Sequence, residues 1–132
     1  MSNMYWNGGN NTKAGGAMKN ILVVEHNDYF REKIAGVLSR FDFVGAVAQV
    51  ARFRNLFGAL EDMHVNLILM NIEIASFDFD CIKSIKEKHP GIRIVVYTDN
   101  ARSECERAAI DAGADRFIPQ DSITSELEEF LV

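Results

Sequence analysis

Two cysteines, two prolines and a single tryptophan are all that this chain of 132 residues holds of those types, and each scarcity removes a class of protein. Cys81 and Cys105 fall inside helix-like patterns with no metal-type spacing between them, so neither a disulfide framework nor a zinc module is indicated and a reduced, cytoplasmic setting is favoured. No apolar run approaches the roughly eighteen residues of a membrane-spanning helix. The N-terminus also lacks the continuous apolar core of a secretory signal. Basic residues are outnumbered, 14 Lys and Arg against 19 Asp and Glu, and the formal net charge of -5 gives no footprint for direct binding of nucleic acid or an anionic membrane. Missing as well are a GxxxxGK[ST] phosphate loop, a GxSxG elbow and a GxGxxG after the first strand, where EHND stands instead. Nucleotide hydrolysis and dinucleotide binding have no support.

What is present is organised around Val65 to Glu73, VNLILMNIE. Leu67, Ile68, Leu69 and Met70 follow one another without polar alternation, the pattern of a strand covered on both faces by helices. The stretch is therefore placed in the middle of a parallel sheet. Ligand crevices of open α/β sheets lie at the carboxyl ends of the strands, which puts Asn71 to Glu73 at the functional edge.

Residues 1–18 are rich in Gly and Asn, carry no period and read as a flexible tail in which Tyr5 and Trp6 are an incidental pair. The folded domain is placed at residues 19–132, and Met18 is a second candidate start. Ile21–Glu25 (ILVVE) reads as the first strand. Asn27 or Asp28 caps a helix striped by Phe30, Ile34, Val37, Leu38 and Phe41. Phe43–Ala48 makes a short second strand, and Phe53, Leu56, Phe57 and Leu60 stripe the next helix. After the central third strand, Phe79, Ile82 and Ile85 mark a helix ended by Pro90 and Gly91. Ile92–Thr98 is the fourth strand, with Asp99 or Asn100 as cap. Cys105, Ala108, Ala109 and Ala112 give the fourth helix a small-residue stripe that Gly113 closes. Phe117–Pro119 is a brief fifth strand, and Ile123, Leu127, Phe130 and Leu131 stripe a last helix. Strands alternating with helices predict an α/β fold, a single doubly wound five-stranded parallel sheet with helices on both faces.

From about Lys19 to Val132 the chain resembles the response-regulator receiver domain, the CheY-like module of two-component signalling, in phrases such as ILVVE, NLILMN, KEKHPGIRIVVYT and AAIDAGADRFIPQDS. The resemblance implies the flavodoxin-like strand order 2-1-3-4-5. It also implies a phosphorylation pocket of two acids after the first strand, an aspartate after the third, a Thr or Ser after the fourth and a Lys after the fifth. At those positions stand Glu25 and His26, Asn71, Thr98 and Gln120. The loop IEIASFDF after Asn71 lacks the family's Pro and Gly and is one residue shorter.

Those replacements remove the chemistry piece by piece. An acyl phosphate needs a carboxylate nucleophile, and an amide is uncharged with delocalised lone pairs. Magnesium prefers hard carboxylate oxygens, whereas His26 is a softer nitrogen ligand, so magnesium binding is expected to be weak or absent. Gln120 offers no fixed positive charge to transferring phosphoryl oxygens. Glu25 and Glu73 are the two carboxylates that could hold a divalent ion, although carboxylates at strand ends are more often simply solvated. His64 and His89 are placed far from His26 and build no metal cluster.

The resemblance thus implies an atypical receiver, a pseudo-receiver that is not an enzyme and acts by protein–protein contact. Its partner would be a histidine kinase, an output protein or a second copy, with no direct nucleic acid and no membrane. In the family an aromatic residue on the fifth strand couples the Thr to the surface of the fourth helix, fifth strand and fifth helix, and Phe117 matches it. That face, with Arg102, Glu106, Arg116, Glu126 and Glu129 expected at its exposed positions, is a possible homodimer surface. Two alternatives stand beside this reading. One is an active phosphoreceiver using Glu73, which would need its loop to swing inward. The other is a small-ligand-sensing pseudo-receiver of a transcriptional regulator. A C-terminal output domain beyond Val132 is left open.

Overall fold

In the computed structural model the described residues are 4–7, 18–75, 77–99 and 103–131. The strands are β1 (Met4–Asn7), β2 (Lys19–Val24), β3 (Val44–Val50), β4 (Leu67–Asn71), β5 (Arg93–Thr98) and β6 (Arg116–Pro119). The helices are α1 (Asp28–Leu38), α2 (Leu56–Asp62), α3 (Phe79–Lys88), α4 (Ser103–Ala112) and α5 (Ile123–Leu131), with short 3-10 turns at Phe53–Asn55 and Gln120–Ser122.

The sheet runs β1-β3-β2-β4-β5-β6. Its five parallel strands, counted from Lys19, take the expected order 2-1-3-4-5, with β4 between β2 and β5. Every residue of β4 is buried, as the unbroken apolar run predicts. Pleating divides the core into two layers. Ile21, Val23, Leu67, Leu69, Val95 and Tyr97 pack with Ile34 and Leu38 of α1 and Ile123 and Leu127 of α5. Leu22, Val24, Ile68, Met70, Ile94 and Val96 pack on the other face with α2, α3 and α4.

One part of the segment read as a tail departs from that reading. Met4–Asn7 pairs antiparallel with β3, Met4 opposite Val50 and Asn7 opposite Val47. Four residues are too few for a period to show against a Gly/Asn-rich surrounding, and the pairing is made through backbone groups that no side-chain pattern announces. The side chains of Tyr5, Trp6, Phe130 and Leu131, and the residues Asn100 and Arg102, lie outside the described residues.

Helix ends follow their local chemistry. Asn27 caps α1 by accepting from the Phe30 N–H at 2.9 Å, and Asp78 caps α3 by accepting from the Asp80 N–H at 2.8 Å. At the opposite ends of the strands Asn20 ties three segments together. Its amide donates to the His64 carbonyl at 2.9 Å and accepts from the Ala46 N–H at 3.0 Å, while its own N–H donates to Asn66 Oδ1 at 2.8 Å.

Gly113 follows α4 with φ 116°, where an L side chain is strained, and an added Cβ would stand 3.3 Å from Cγ of Lys86. Lys86 cannot easily give way, because its ammonium bridges the Ile92 carbonyl and Asp115 Oδ2, both at 2.8 Å. Gly113→Ala is expected to cost about 1–3 kcal/mol of stability, read as a lower urea midpoint with an unchanged m-value.

Candidate functional site

Parallel register sets the site. Val24 lies beside Met70 and Asn71 beside Tyr97, so Glu25, Asn71 and Tyr97 meet at the carboxyl ends of three adjacent strands and on the same face of the sheet. Glu25 is not solvated, as strand-end carboxylates usually are; only 1% of it is exposed. Burying a carboxylate is costly unless its lone pairs are satisfied. Here Oε1 accepts from the Asn71 amide at 2.9 Å and from the Tyr97 hydroxyl, and Oε2 accepts from the Asn27 N–H at 2.8 Å. His26 Nδ1 stands 3.2 Å from Oε2, with most of the ring in solvent.

The Asn71 side chain is engaged at both ends, since its Oδ1 accepts from the Glu73 N–H at 2.8 Å. Beneath the same strand ends lies Arg31, a buried charge on the apolar face of α1. It donates to the Glu25 carbonyl at 3.0 Å and to Gln49 Oε1 at 3.2 Å, and it pairs with Asp28 at 2.8 Å. Sequence reasoning missed Arg31 because its position adjoins an apolar stripe and nothing local names a partner.

Glu73 is already turned toward the crevice, with no swing of its loop required. The Thr98 hydroxyl donates to its carboxylate, and the Asp99 N–H donates to the same oxygen at 3.2 Å. A hydrogen bond from the Asp99 carboxyl, with the Thr98 hydroxyl second, holds Glu73 below its ordinary carboxylate value. That bond, together with the charge of Glu73, raises Asp99 in turn. Of the two carboxyls, Glu73 is therefore the first to lose its proton as pH rises.

The remaining residues are placed as follows. Gln120 opens the 3-10 turn after β6, and among the described residues no hydrogen bond joins it to the Asn71 network. Phe117 is half-buried against the α2–α4 layer of the core. On the α4–β6–α5 face Glu106 and Glu129 are exposed, but Arg116 and Glu126 are half-buried and pair at 3.6 Å. Cys81 is buried, and burial pushes its thiol up to about 12, which makes it unreactive. Among the described residues no three or more His, Cys, Asp and Glu side chains gather in a group that could hold a metal ion.

A family model described as the response regulator receiver domain matches residues 21–131. Among solved structures, the chain is similar to the response regulator RcsB of Salmonella typhimurium, with TM-score 0.78 and 16% identity over 86% of this chain and 58% of that one. The chain thus spans less than two thirds of RcsB. It is also similar to the orphan response regulator HP1043 of H. pylori, with TM-score 0.76 and 21% identity over 89% of this chain and 100% of that one. A CheY-like receiver domain protein from Methanospirillum hungatei gives TM-score 0.74 and 21% identity over 87% and 94% of the two chains. At such identities the likeness establishes the fold. A search of curated proteins finds no match.

Two outcomes follow from the Glu25 cluster. Tyr97→Phe removes a donor to a buried charge and is expected to cost about 1.5–3 kcal/mol, measured by chemical denaturation at neutral pH. Burial first, and the Glu25 charge second, raise the Tyr97 hydroxyl above its ordinary value of 10.0. Because the folded chain holds this proton more tightly than the unfolded one, the associated stability is complete below pH 10 and is lost as pH climbs further. Alkaline unfolding should therefore be less steep in Tyr97→Phe than in the parent chain, as read by circular dichroism against pH.

Proposed function

We propose that the chain, which belongs to the response regulator receiver domain family, is a pseudo-receiver that signals by protein contact without phosphorylation at Asn71. The observation that carries this reading is the double engagement of the Asn71 amide, which donates to buried Glu25 and accepts from the Glu73 N–H. A carboxamide has no nucleophilic oxygen to offer. The donor set does not fit magnesium either: the Glu25 oxygens are taken up by neutral donors, and the adjoining side chain is an imidazole.

Thr98 supports the same view. In the family a phosphoryl group draws this hydroxyl inward, and in this chain the Glu73 carboxylate already receives it. As long as that bond stands the switch is held in one state, with Phe117 and the α4–β6–α5 face behind it. The partner is a histidine kinase, an output protein or a second copy seated on that face. Any nucleic-acid contact falls to a partner, consistent with the formal charge of -5. Among the described residues no helix is long and apolar enough to cross a membrane, and we place the domain in the cytoplasm.

A second reading has one observation in its favour. Glu73 is an ionised carboxylate beside Thr98 and could itself be a phosphoacceptor. Intact mass after treatment with acetyl phosphate and magnesium separates the two. The expected result is an unchanged mass. A hydroxylamine-labile phosphoryl adduct that disappears in Glu73→Gln would establish the second reading and end the first.

Restoring the acid alone should not restore the chemistry. Asn71→Asp sets a second carboxylate against buried Glu25, so stability at neutral pH is expected to fall by about 1–3 kcal/mol. Denaturation with and without magnesium measures this, and a large magnesium-dependent recovery would show that the metal cradle survives.

A further inference from the structure

Beside the Asn71 network the molecule has a cavity of about 500 Å³, lined by His26, Ala51–Arg54 and Glu73–Ala75. That volume lies within the range of small-molecule sites. Three loops build it at the carboxyl ends of β2, β3 and β4, so its walls belong to the same strand ends as the degenerate pocket.

Its chemistry is amphipathic. Phe53 and Ile74 supply apolar walls, and the Phe53 ring is braced edge-on by Phe77 at 5.9 Å. Arg52 and Arg54 flank Phe53 in sequence, are exposed and line the same cavity. Among the described residues neither guanidinium has an ion-pair partner. Two free arginines with an imidazole nearby, in a chain of net charge -5, form a local cationic rim. Arginine is weakly hydrated and presents a planar fork that fits a carboxylate, sulfonate or phosphate. Glu73 is the one anionic side chain in the lining, and it also receives the Thr98 hydroxyl.

We propose that this cavity binds a small organic anion with an apolar body, the charge on Arg52 and Arg54 and the body against Phe53 and Ile74, and that Glu73 relays its occupancy to Thr98. The proposal rests on the reading of the chain as a receiver that phosphate does not switch, and it supplies the input which that reading otherwise lacks. An occupant on the arginine side leaves the ligand charge away from Glu73, while its body fills the space into which the Glu73 loop faces. The loop then adjusts, and the Thr98 bond adjusts with it.

The test uses the full chain and 1-anilinonaphthalene-8-sulfonate, an anion with an aromatic body, beside its neutral analogue N-phenyl-1-naphthylamine. Saturable one-to-one fluorescence enhancement is expected with the sulfonate, and binding weaker by about tenfold or more in the double variant R52Q/R54Q. The neutral analogue should bind with no difference between parent and variant. Both arginines are exposed, so the variant keeps its fold, which an unchanged amide NMR spectrum outside residues 51–54 records. In the same spectra the sulfonate should shift amides at 26, 51–54 and 73–75 and also Thr98, and in Glu73→Ala the Thr98 shift should vanish while the loop shifts remain. Absence of saturable binding, or equal affinity in R52Q/R54Q, overturns the site. Persistence of the Thr98 shift in Glu73→Ala overturns the relay. A phosphoryl adduct on the parent chain would overturn the underlying reading and leave the sulfonate titration unaffected, so the two failures are distinguishable.

Discussion

The whole upper edge of this molecule is arranged around one buried carboxylate, with the imidazole of His26 on its solvent side. Glu25 sits 1% exposed at the end of β2, and its oxygens are served by an amide, a phenol and a backbone N–H. Such a charge survives in a low-dielectric interior only if each lone pair finds a donor. This requirement dictates what can stand around it. Residue 71 must donate as well as accept, which an amide does and an ionised acid cannot. Residue 97 must place a hydroxyl at the top of an otherwise apolar strand. His26 can lean on the carboxylate from solvent without being buried. The arrangement has the logic of a structural hydrogen-bond network, and it occupies the place where the family's chemistry would need open coordination sites.

The sheet was legible because its strands are short unbroken apolar runs punctuated by Asn, Asp, Gly and Pro, and because the run at Val65–Glu73 has no polar face. The strand order was not in those runs at all; it came from the resemblance. Glu25, Asn71 and Thr98 were legible as strand-end residues because each ends a buried run. Two features escaped, and the orientation of a third residue, itself a named candidate, was not foreseen. Tyr97 reads as one more apolar residue, and its hydroxyl partner lies on another strand, 72 positions away in sequence. Arg31 adjoins an apolar stripe, and only tertiary contacts with Glu25, Gln49 and Asp28 explain it. Glu73 belongs to a loop whose path is set by the Asn71 side chain accepting its N–H, a bond that local propensity does not encode.

The two faces of the sheet divide the labour. Glu25, Asn71 and Tyr97 project with the layer that α1 and α5 cover, and there the polar groups close on one another. Thr98 follows Tyr97 and so points to the other side, where Phe117, Ile74 and Phe53 pack and where Glu73 reaches it. Neighbouring positions on one strand thus serve a sealed network and an accessible crevice. On the proposed reading, loss of phosphotransfer at the first leaves the second free to respond to something else.

The antiparallel strand Met4–Asn7 has a consequence for how copies of this domain behave when crowded. An open sheet ordinarily ends in rows of unpaired N–H and C=O groups that invite another chain to add on, the first step toward fibrous aggregates. On one side those groups of Val47–Val50 are taken by Met4–Asn7, which moves the edge out to a strand of only four residues. On the other side the sheet stops at a strand of four residues that finishes in Pro119, which has no N–H to lend. Each margin is blunted by a different device, so copies of the domain that associate are steered toward side-chain surfaces and away from endless strand-on-strand stacking.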